Sequence, residues 1–474
     1  MSFQSFHFLI IFIASFFVVR ILLKDNESLK KTFLLFVSYY FYMCWDWRFS
    51  GIILFVTVVN FYFGPKIYEQ KNKNIKNLWL WASLALSLLV LAYFKYVNFF
   101  IESFEAFLRG FGFSAEIPLL DIILPVGISF YTFQSISYVL DIYRGRIEPV
   151  RSFRDFALFV AFFPQLVAGP IVRASHFLPQ LQGESKVQEN AIEMGFALIL
   201  RGFIKKIMFA DVLGLHIVDP AFADPSKFSP IFLIVALYAY SYQVYMDFSG
   251  YTDIARGVSK TLGYELQINF NRPYKATSIS EFWQRWHISM SSFFRDYLYY
   301  GLGGSKFGNV YVNLLLTFVA IGIWHGAGWN FVVYGLCHGS IVVFERLRRE
   351  RRKRLNLPEK KLSRLQFFCS AIFIFNVVSL TRVLFRGGSL SGAVEYMTAL
   401  LSFDRFSEIP FDLIGFTVLL IAIISHYVPD KWTYEWKNVY VKLPYYVQGA
   451  LMVFVIYLVI AFSSGSAPFI YFQF

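Results

Sequence analysis

The chain has 474 residues, of which 57% are hydrophobic, 20% aromatic and only 16% charged. Water-soluble domains carry about 25% charged residues and a smaller apolar share, so this composition excludes an aqueous globular fold and points to a chain immersed in lipid. The net charge of +13 comes from 44 Lys and Arg against 31 Asp and Glu; the basic residues sit in runs between apolar segments, which suits loops retained at the cytoplasmic face and argues against nucleic-acid binding.

Apolar runs approaching the 20 or so residues that cross a hydrocarbon core are centred near Phe12, Leu35, Phe55, Leu88, Ser129, Leu198, Ile234, Leu316, Val333, Phe373, Leu419 and Phe454. With some of them re-entrant or tilted, about eleven crossings are expected. The first run, 3–19, lacks a basic leader and a small-residue cleavage site, so it reads as a retained span. Lys24, Lys30 and Lys31, then Lys66, Lys71, Lys73 and Lys76, then Arg144, Arg146, Arg151 and Arg154 recur two spans apart, while the intervening turns carry only Arg48, Lys95 and Arg109. The positive-inside rule then places the N-terminus outside the cytoplasm. The densest run, 346–354 followed by Lys360, Lys361 and Arg364, belongs inside, and counting onward puts the C-terminus outside too. Two ends on one side require an even number of crossings, so either the count or one end is displaced by one. That basic run also suits anionic lipid headgroups or an acidic cofactor such as coenzyme A. Cys44, Cys337 and Cys369 are scattered and read as buried thiols, not as a disulfide framework or a zinc site.

The stretch 247–296 mixes carboxylates, arginines and aromatics and is too polar to face lipid, which predicts an embedded or interfacial functional core. Ser280 is the expected cap of a helix over 281–294, setting Trp283, Trp286, His287 and Met290 on adjoining faces. Residues 309–344 then contain no Asp, Glu, Lys or Arg. As one helix they would run about 54 Å, too long for a single crossing. The expected break is Gly326-Ala327-Gly328, directly after Trp324 and His325. His325 lies about 22 Å from the start of the run at helical rise, within bilayer depth. An ionisable ring there marks a substrate path or relay more often than packing; the rival is a neutral histidine bonded to a neighbouring span. His287 alone is an ordinary interfacial histidine. Together the two rings suit acyl transfer from a thioester, in which an imidazole takes a proton from a hydroxyl and returns it to the leaving group. His338 reads as packing, and His7, His176, His216 and His426 have no supporting pattern. No serine-hydrolase elbow, phosphate loop or metal-ligand spacing is present, so no tightly bound metal is expected.

Five segments carry a resemblance: ILPVGISFYTFQSISYVLDIYRG at 123–145, FFPQLVAGPIVR at 162–173, DFSGYTDIARG at 247–257, FWQRWHISMSSFFRDYLYYGLGG at 282–304 and WHGAGWNFVVYGLCHG at 324–339. In this order they resemble the membrane-bound O-acyltransferase family, in the bacterial branch that includes the alginate O-acetyltransferase membrane subunit and the D-alanyl transfer protein of teichoic acids. The resemblance implies an all-α polytopic membrane protein, with about eleven spans ringing a core of short, horizontal and re-entrant helices and a central tunnel. It implies one membrane domain over 1–474, with N-terminal spans at 1–117, a catalytic core at 118–345, a basic cytoplasmic loop at 346–364, and C-terminal spans with an extracytoplasmic tail at 365–474. By the same resemblance His325 is the general base and His287 assists it, while Arg285, Trp286, Trp324, Asp247 and Asp253 serve as substrate contacts, tunnel wall or scaffold. Phe469, Ile470, Phe472 and Phe474 belong to an aromatic tail that either meets an extracytoplasmic partner or anchors at the interface. The implied donor substrate is acetyl-CoA, with no tightly bound cofactor. The implied partners are a hydrolase-like acetyltransferase of the SGNH type, an exported cell-surface polysaccharide and membrane lipid, and the implied location is the bacterial cytoplasmic membrane. Two rivals stand beside this reading. One is D-alanyl transfer to teichoic acid from a carrier-protein thioester, against which the chain length weighs modestly. The other is a non-enzymatic transporter of lipid or polymer, for which the expected inverted pair of broken spans is missing.

Overall fold

The computed structural model describes residues 3, 5–113, 116–166, 169–183, 189–358, 362–402 and 412–462. Among them every regular element is helical and no strand forms. Lipid provides no hydrogen bonds, so backbone crossing it must satisfy itself within each segment, and helices do so. Among the described residues four helices, Trp47–Glu69, Lys73–Gly110, Pro230–Thr261 and Arg364–Arg386, are long and apolar enough to cross a membrane, and five shorter apolar helices accompany them. The chain is a multi-pass membrane protein. Lys73–Gly110 is mostly exposed along its apolar window, whereas 78% of the corresponding window of Pro230–Thr261 is enclosed by protein. The latter can therefore carry polar groups that the former cannot.

Several sequence expectations shift. The element expected around Ser129 is the almost wholly buried helix Ile128–Tyr143. Lys95 and Arg109, expected in turns, lie inside the 38-residue helix Lys73–Gly110. The basic run 346–354 is not loop: the helix Trp329–Arg354 continues through it, with Arg351, Arg352, Lys353 and Arg354 in its last turn, where cations offset the helix dipole. Cys44 and Cys369 are exposed and Cys337 half-buried, so the expected burial of the thiols does not hold.

The chain divides into two compact units. The first comprises Met1–Leu200, Asp253–Gln267 and Tyr440–Met452. Here Asn60 joins helix Ser50–Glu69 to helix Lys73–Gly110 by donating to Ser87 Oγ (2.9 Å) and accepting from Ser83 Oγ (3.1 Å). Such amide and hydroxyl pairs hold helices together where hydrophobic association contributes little. Lys31 donates to Asp155 (3.0 Å) and to the Leu181 carbonyl (2.7 Å), tying helix Glu27–Met43 to the short buried helix Phe153–Ala161.

The second unit comprises Arg201–Thr252, Ile268–Val439 and Val453–Phe474. Its centre is a hairpin of Val310–His325 and Trp329–Arg354, broken at 326–328 where the glycines lie. Tyr311 at the start of the first helix donates to Glu350 near the end of the second (2.7 Å), which makes the pair antiparallel. The helices touch backbone to backbone. A Cβ on Gly322 would lie 2.2 Å from the Phe331 carbonyl oxygen, and one on Gly335 would lie 2.5 Å from that of Phe318. Only glycine permits this approach. Gly322→Val is expected to destabilise the unit by at least about 1–3 kcal/mol through forced separation of the hairpin; thermal unfolding of detergent-solubilised protein measures it, and an unchanged midpoint would refute the close packing.

Candidate active site

The polar stretch before the hairpin is ordered by its own side chains. Ser278, not Ser280, caps the helix Ile279–Arg285, its Oγ accepting from the Glu281 amide at 3.0 Å. The Glu345 carboxylate takes the amides of Ile279 (2.6 Å) and Ser280 (3.0 Å), filling the donors that a helix start leaves open. The helix expected over 281–294 stops at Arg285. Trp286 is extended, His287 is left-handed (φ 45°, ψ 54°), and a second helix, Ile288–Phe293, begins beyond. Trp286 and His287 thus belong to a bend, not to a continuous helical face.

A non-glycine residue in the left-handed region costs about 1–2 kcal/mol, and Asn269 holds it there. Its Oδ1 accepts from Ser289 N (3.0 Å) and Ser289 Oγ (2.8 Å) and lies 3.3 Å from His287 Nδ1, while its carbonyl accepts from the Ile288 amide at 2.9 Å. The two serine donors identify the amide oxygen, so Nδ1 carries the histidine proton and Nε2 keeps the lone pair. The bend turns the His287 ring fully inward, edge-on to Phe248 (4.7 Å between centroids) and to Trp324 (5.6 Å).

His325 is the last residue of its helix and is 3% exposed. Its ring packs against Trp324 (5.0 Å), Phe385 (5.1 Å) and Tyr334 (6.1 Å). Trp324 therefore touches both histidine rings, and the structure brings His287, Trp324 and His325 together. Trp286 joins them by lining, with His325, Tyr240, Tyr334, Arg382 and Phe385, a cavity of about 10 Å³, close to the room one water occupies. Asn330 fixes this wall by donating to the Leu384 carbonyl at 2.9 Å, beside Phe385.

A second cavity, of about 330 Å³, is lined by Trp283, Ile288 and Ile321 and by Arg295, Arg346 and Arg349. Ile288 directly follows His287, and Ile321 sits one helical turn before His325, so the wall is built from chain neighbours of both histidines.

The other residues singled out from sequence have partners of their own where the structure describes them. Asp247 forms an ion pair with the buried Lys206 ammonium (2.8 Å), which also reaches Asp211 (2.7 Å), forming an internal ion cluster. Arg285 pairs with Glu281 (2.9 Å) and donates to the Asn271 carbonyl. Asp253 belongs to the first unit, with its carboxylate 4.0 Å from Arg256. Phe469, Ile470, Phe472 and Phe474 lie outside the described residues. His338 receives Trp283 Nε1 (3.3 Å) on one nitrogen and meets Thr381 Oγ1 (3.0 Å) with the other, the bonding of a packed, satisfied ring. Sequence reasoning missed Asn269, Tyr240, Tyr334, Arg382 and Phe385. Arg382 directly follows the apolar run 365–381, where an arginine reads as an interfacial anchor; the others carried no signal.

Residues 149–386 match the model of the membrane-bound O-acyltransferase family. The chain belongs to this family. Over 427 residues it is 37% identical to a probable alginate O-acetylase of Azotobacter vinelandii, covering 90% of this chain and 83% of the relative. A peptidoglycan O-acetyltransferase of Helicobacter pylori is 33% identical over 430 residues, covering 85% and 79%. A teichoic acid D-alanyltransferase of Streptococcus thermophilus is 29% identical over 287 residues, covering 55% and 68%. The chain is an acyltransferase.

Replacing Asn269 with Leu removes the acceptor shared by His287 and Ser289. The variant is expected to lose about 1–3 kcal/mol, the penalty of stranding a buried donor, and a thermal-inactivation midpoint equal to wild type would show that the bend does not depend on this amide.

Proposed function

We propose that this acyltransferase moves an acetyl group from cytoplasmic acetyl-CoA to an exported cell-surface polysaccharide, with His325 as general base and His287 assisting. The observation that carries the reading is the position of His325, a buried imidazole at a helix break, lining a small cavity and one indole away from a second buried imidazole. Groups of this kind are retained at bilayer depth for chemistry. In the step proposed, His325 takes the proton of an acceptor hydroxyl while that oxygen bonds to the thioester carbonyl carbon. The carbonyl electron pair moves onto oxygen. Collapse re-forms the carbonyl and breaks the C–S bond, and the departing thiolate recovers the proton from the imidazolium, leaving an acetate ester and free coenzyme A thiol.

The larger cavity supports the donor assignment. Arg349 on its wall suits a phosphate group, beside Arg295 and Arg346, which pair with Asp296 (2.7 Å) and Glu350 (2.8 Å), and Trp283, Phe318 and Ile321 suit an apolar thioester arm. The relatives support acetyl over D-alanyl transfer, because the alginate O-acetylase match covers 90% of the chain and the D-alanyltransferase match 55%. Around this centre we place an even number of spans close to eleven and a tunnel joining the two membrane faces, in the bacterial cytoplasmic membrane with both termini outside. A hydrolase-like extracytoplasmic acetyltransferase, met by the tail bearing Phe469, Ile470, Phe472 and Phe474, completes delivery to the polymer.

The test supplies labelled acetyl-CoA to membranes holding wild type or His325→Ala at equal levels of folded protein. Polymer acetylation should fall by about 10²–10⁴-fold, the usual worth of a positioned acid-base group. Full acetylation by the variant removes the proposed base, and label arriving only from a charged carrier protein overturns the donor.

A further inference from the structure

Arg382 caps the end of helix Arg364–Thr381 and is 4% exposed. Two cross-helix bonds set its place: Tyr238 donates to Asn376 (2.6 Å), and the hydroxyls of Ser241 and Ser379 meet at 2.9 Å, so the guanidinium is held against the Pro230–Thr261 helix. Nη1 uses both protons there, on the Ser241 carbonyl (2.9 Å) and the Tyr274 hydroxyl (2.6 Å). The guanidinium carbon lies 4.6 Å from the Trp286 ring centroid and 5.3 Å from that of Tyr274. Its Nε and Nη2, carrying three protons between them, donate to no described residue, and among the described residues no carboxylate pairs with it.

Two other cations of the same unit, the buried Lys206 and the half-buried Arg386, have acids beside them. Lys206 has two aspartates, and Arg386, four residues further on, has Asp219 at 2.6 Å. An enclosed guanidinium without an acid carries a desolvation cost that aromatic faces only partly offset. Arg382 also lines the small cavity with His325, Trp286 and Tyr334. One wall of that space is therefore a proton acceptor and another a fixed cation with unused donors.

We propose that Arg382 stabilises the oxyanion formed when the acceptor oxygen adds to the thioester carbonyl, a role that rests on the acyl-transfer reading of His325. The addition proceeds as above: the new C–O bond pushes the carbonyl electron pair onto oxygen, the proton goes to His325, and the negative oxygen lies against the Nε and Nη2 protons of Arg382. When the pair returns, the C–S bond breaks and the thiolate leaves with the proton. The interaction strengthens as charge develops, so it acts on kcat rather than on donor binding. Trp286 and Tyr274 hold the guanidinium plane in place before substrate arrives.

The experiment compares wild type, Arg382→Gln, Arg382→Lys and His325→Ala as full chains in membranes, each with acetyl-CoA and with its dithioacetyl analogue, in which sulfur replaces the carbonyl oxygen. Arg382→Gln should lose about 10²–10³-fold in kcat with the donor KM little changed, and Arg382→Lys should fall between it and wild type. Sulfur is a poor hydrogen-bond acceptor, so wild type should slow at least tenfold with the analogue, and that penalty should shrink in whichever arginine variant folds. Wild-type kcat in Arg382→Gln, a loss confined to KM, or a wild type indifferent to the analogue overturns the proposal, the last without need of any variant. An inactive His325→Ala beside a fully active Arg382→Gln removes the arginine alone. A fully active His325→Ala removes the reading beneath it.

Discussion

A polar group left without a partner inside a bilayer has no water to turn to, and most of the architecture follows from that scarcity. It makes every described element a helix, since only helices close their own backbone bonds segment by segment. It also restricts irregular backbone to places that protein surrounds. The left-handed turn at His287 meets that condition because Asn269 supplies its acceptors and the ring is sealed among Phe248, Phe270 and Trp324.

Within the second unit, the hairpin of Val310–His325 and Trp329–Arg354 converts glycine content into chemistry. Backbones that touch at Gly322 and Gly335 leave no room for side chains between them, so the bulk at the hairpin's bend, His325 and Trp324, faces the neighbouring helices. There it meets Phe385, with Tyr334 of the hairpin's own second helix alongside, and the same wall presents Arg382. A ring able to accept a proton and a cation able to hold a negative oxygen end up around one small space, although the two residues lie 57 positions apart in the chain (325 and 382).

Charge follows a similar economy. Lys206 holds Asp211 and Asp247 together in the interior, so Asp247, a motif residue, has a structural partner within the fold. Arg285 likewise satisfies itself with Glu281 and a carbonyl. A charged residue inside a family motif is thus no evidence of contact with a reacting group. What distinguishes Arg382 is that its partners are neutral and fewer than its protons.

Composition and periodicity alone determined that the chain lives in lipid, where most helices fall, and that 309–344 must break at the glycines beside His325, because length against bilayer thickness and glycine's weakness in helices are local properties. The family motifs singled out the two histidines. Periodicity misjudged 281–294, since a regular pattern cannot reveal that Asn269, eighteen residues upstream of His287, stabilises a bend better than the helix would stabilise itself. Only the tertiary structure decided that Trp324 joins the two rings, that Ser278 and Glu345 start the helix, and that Arg382 faces His325. Each depends on which distant surfaces pack together, and a lone arginine at the end of an apolar run looks the same in sequence whether it faces headgroups or a buried cavity.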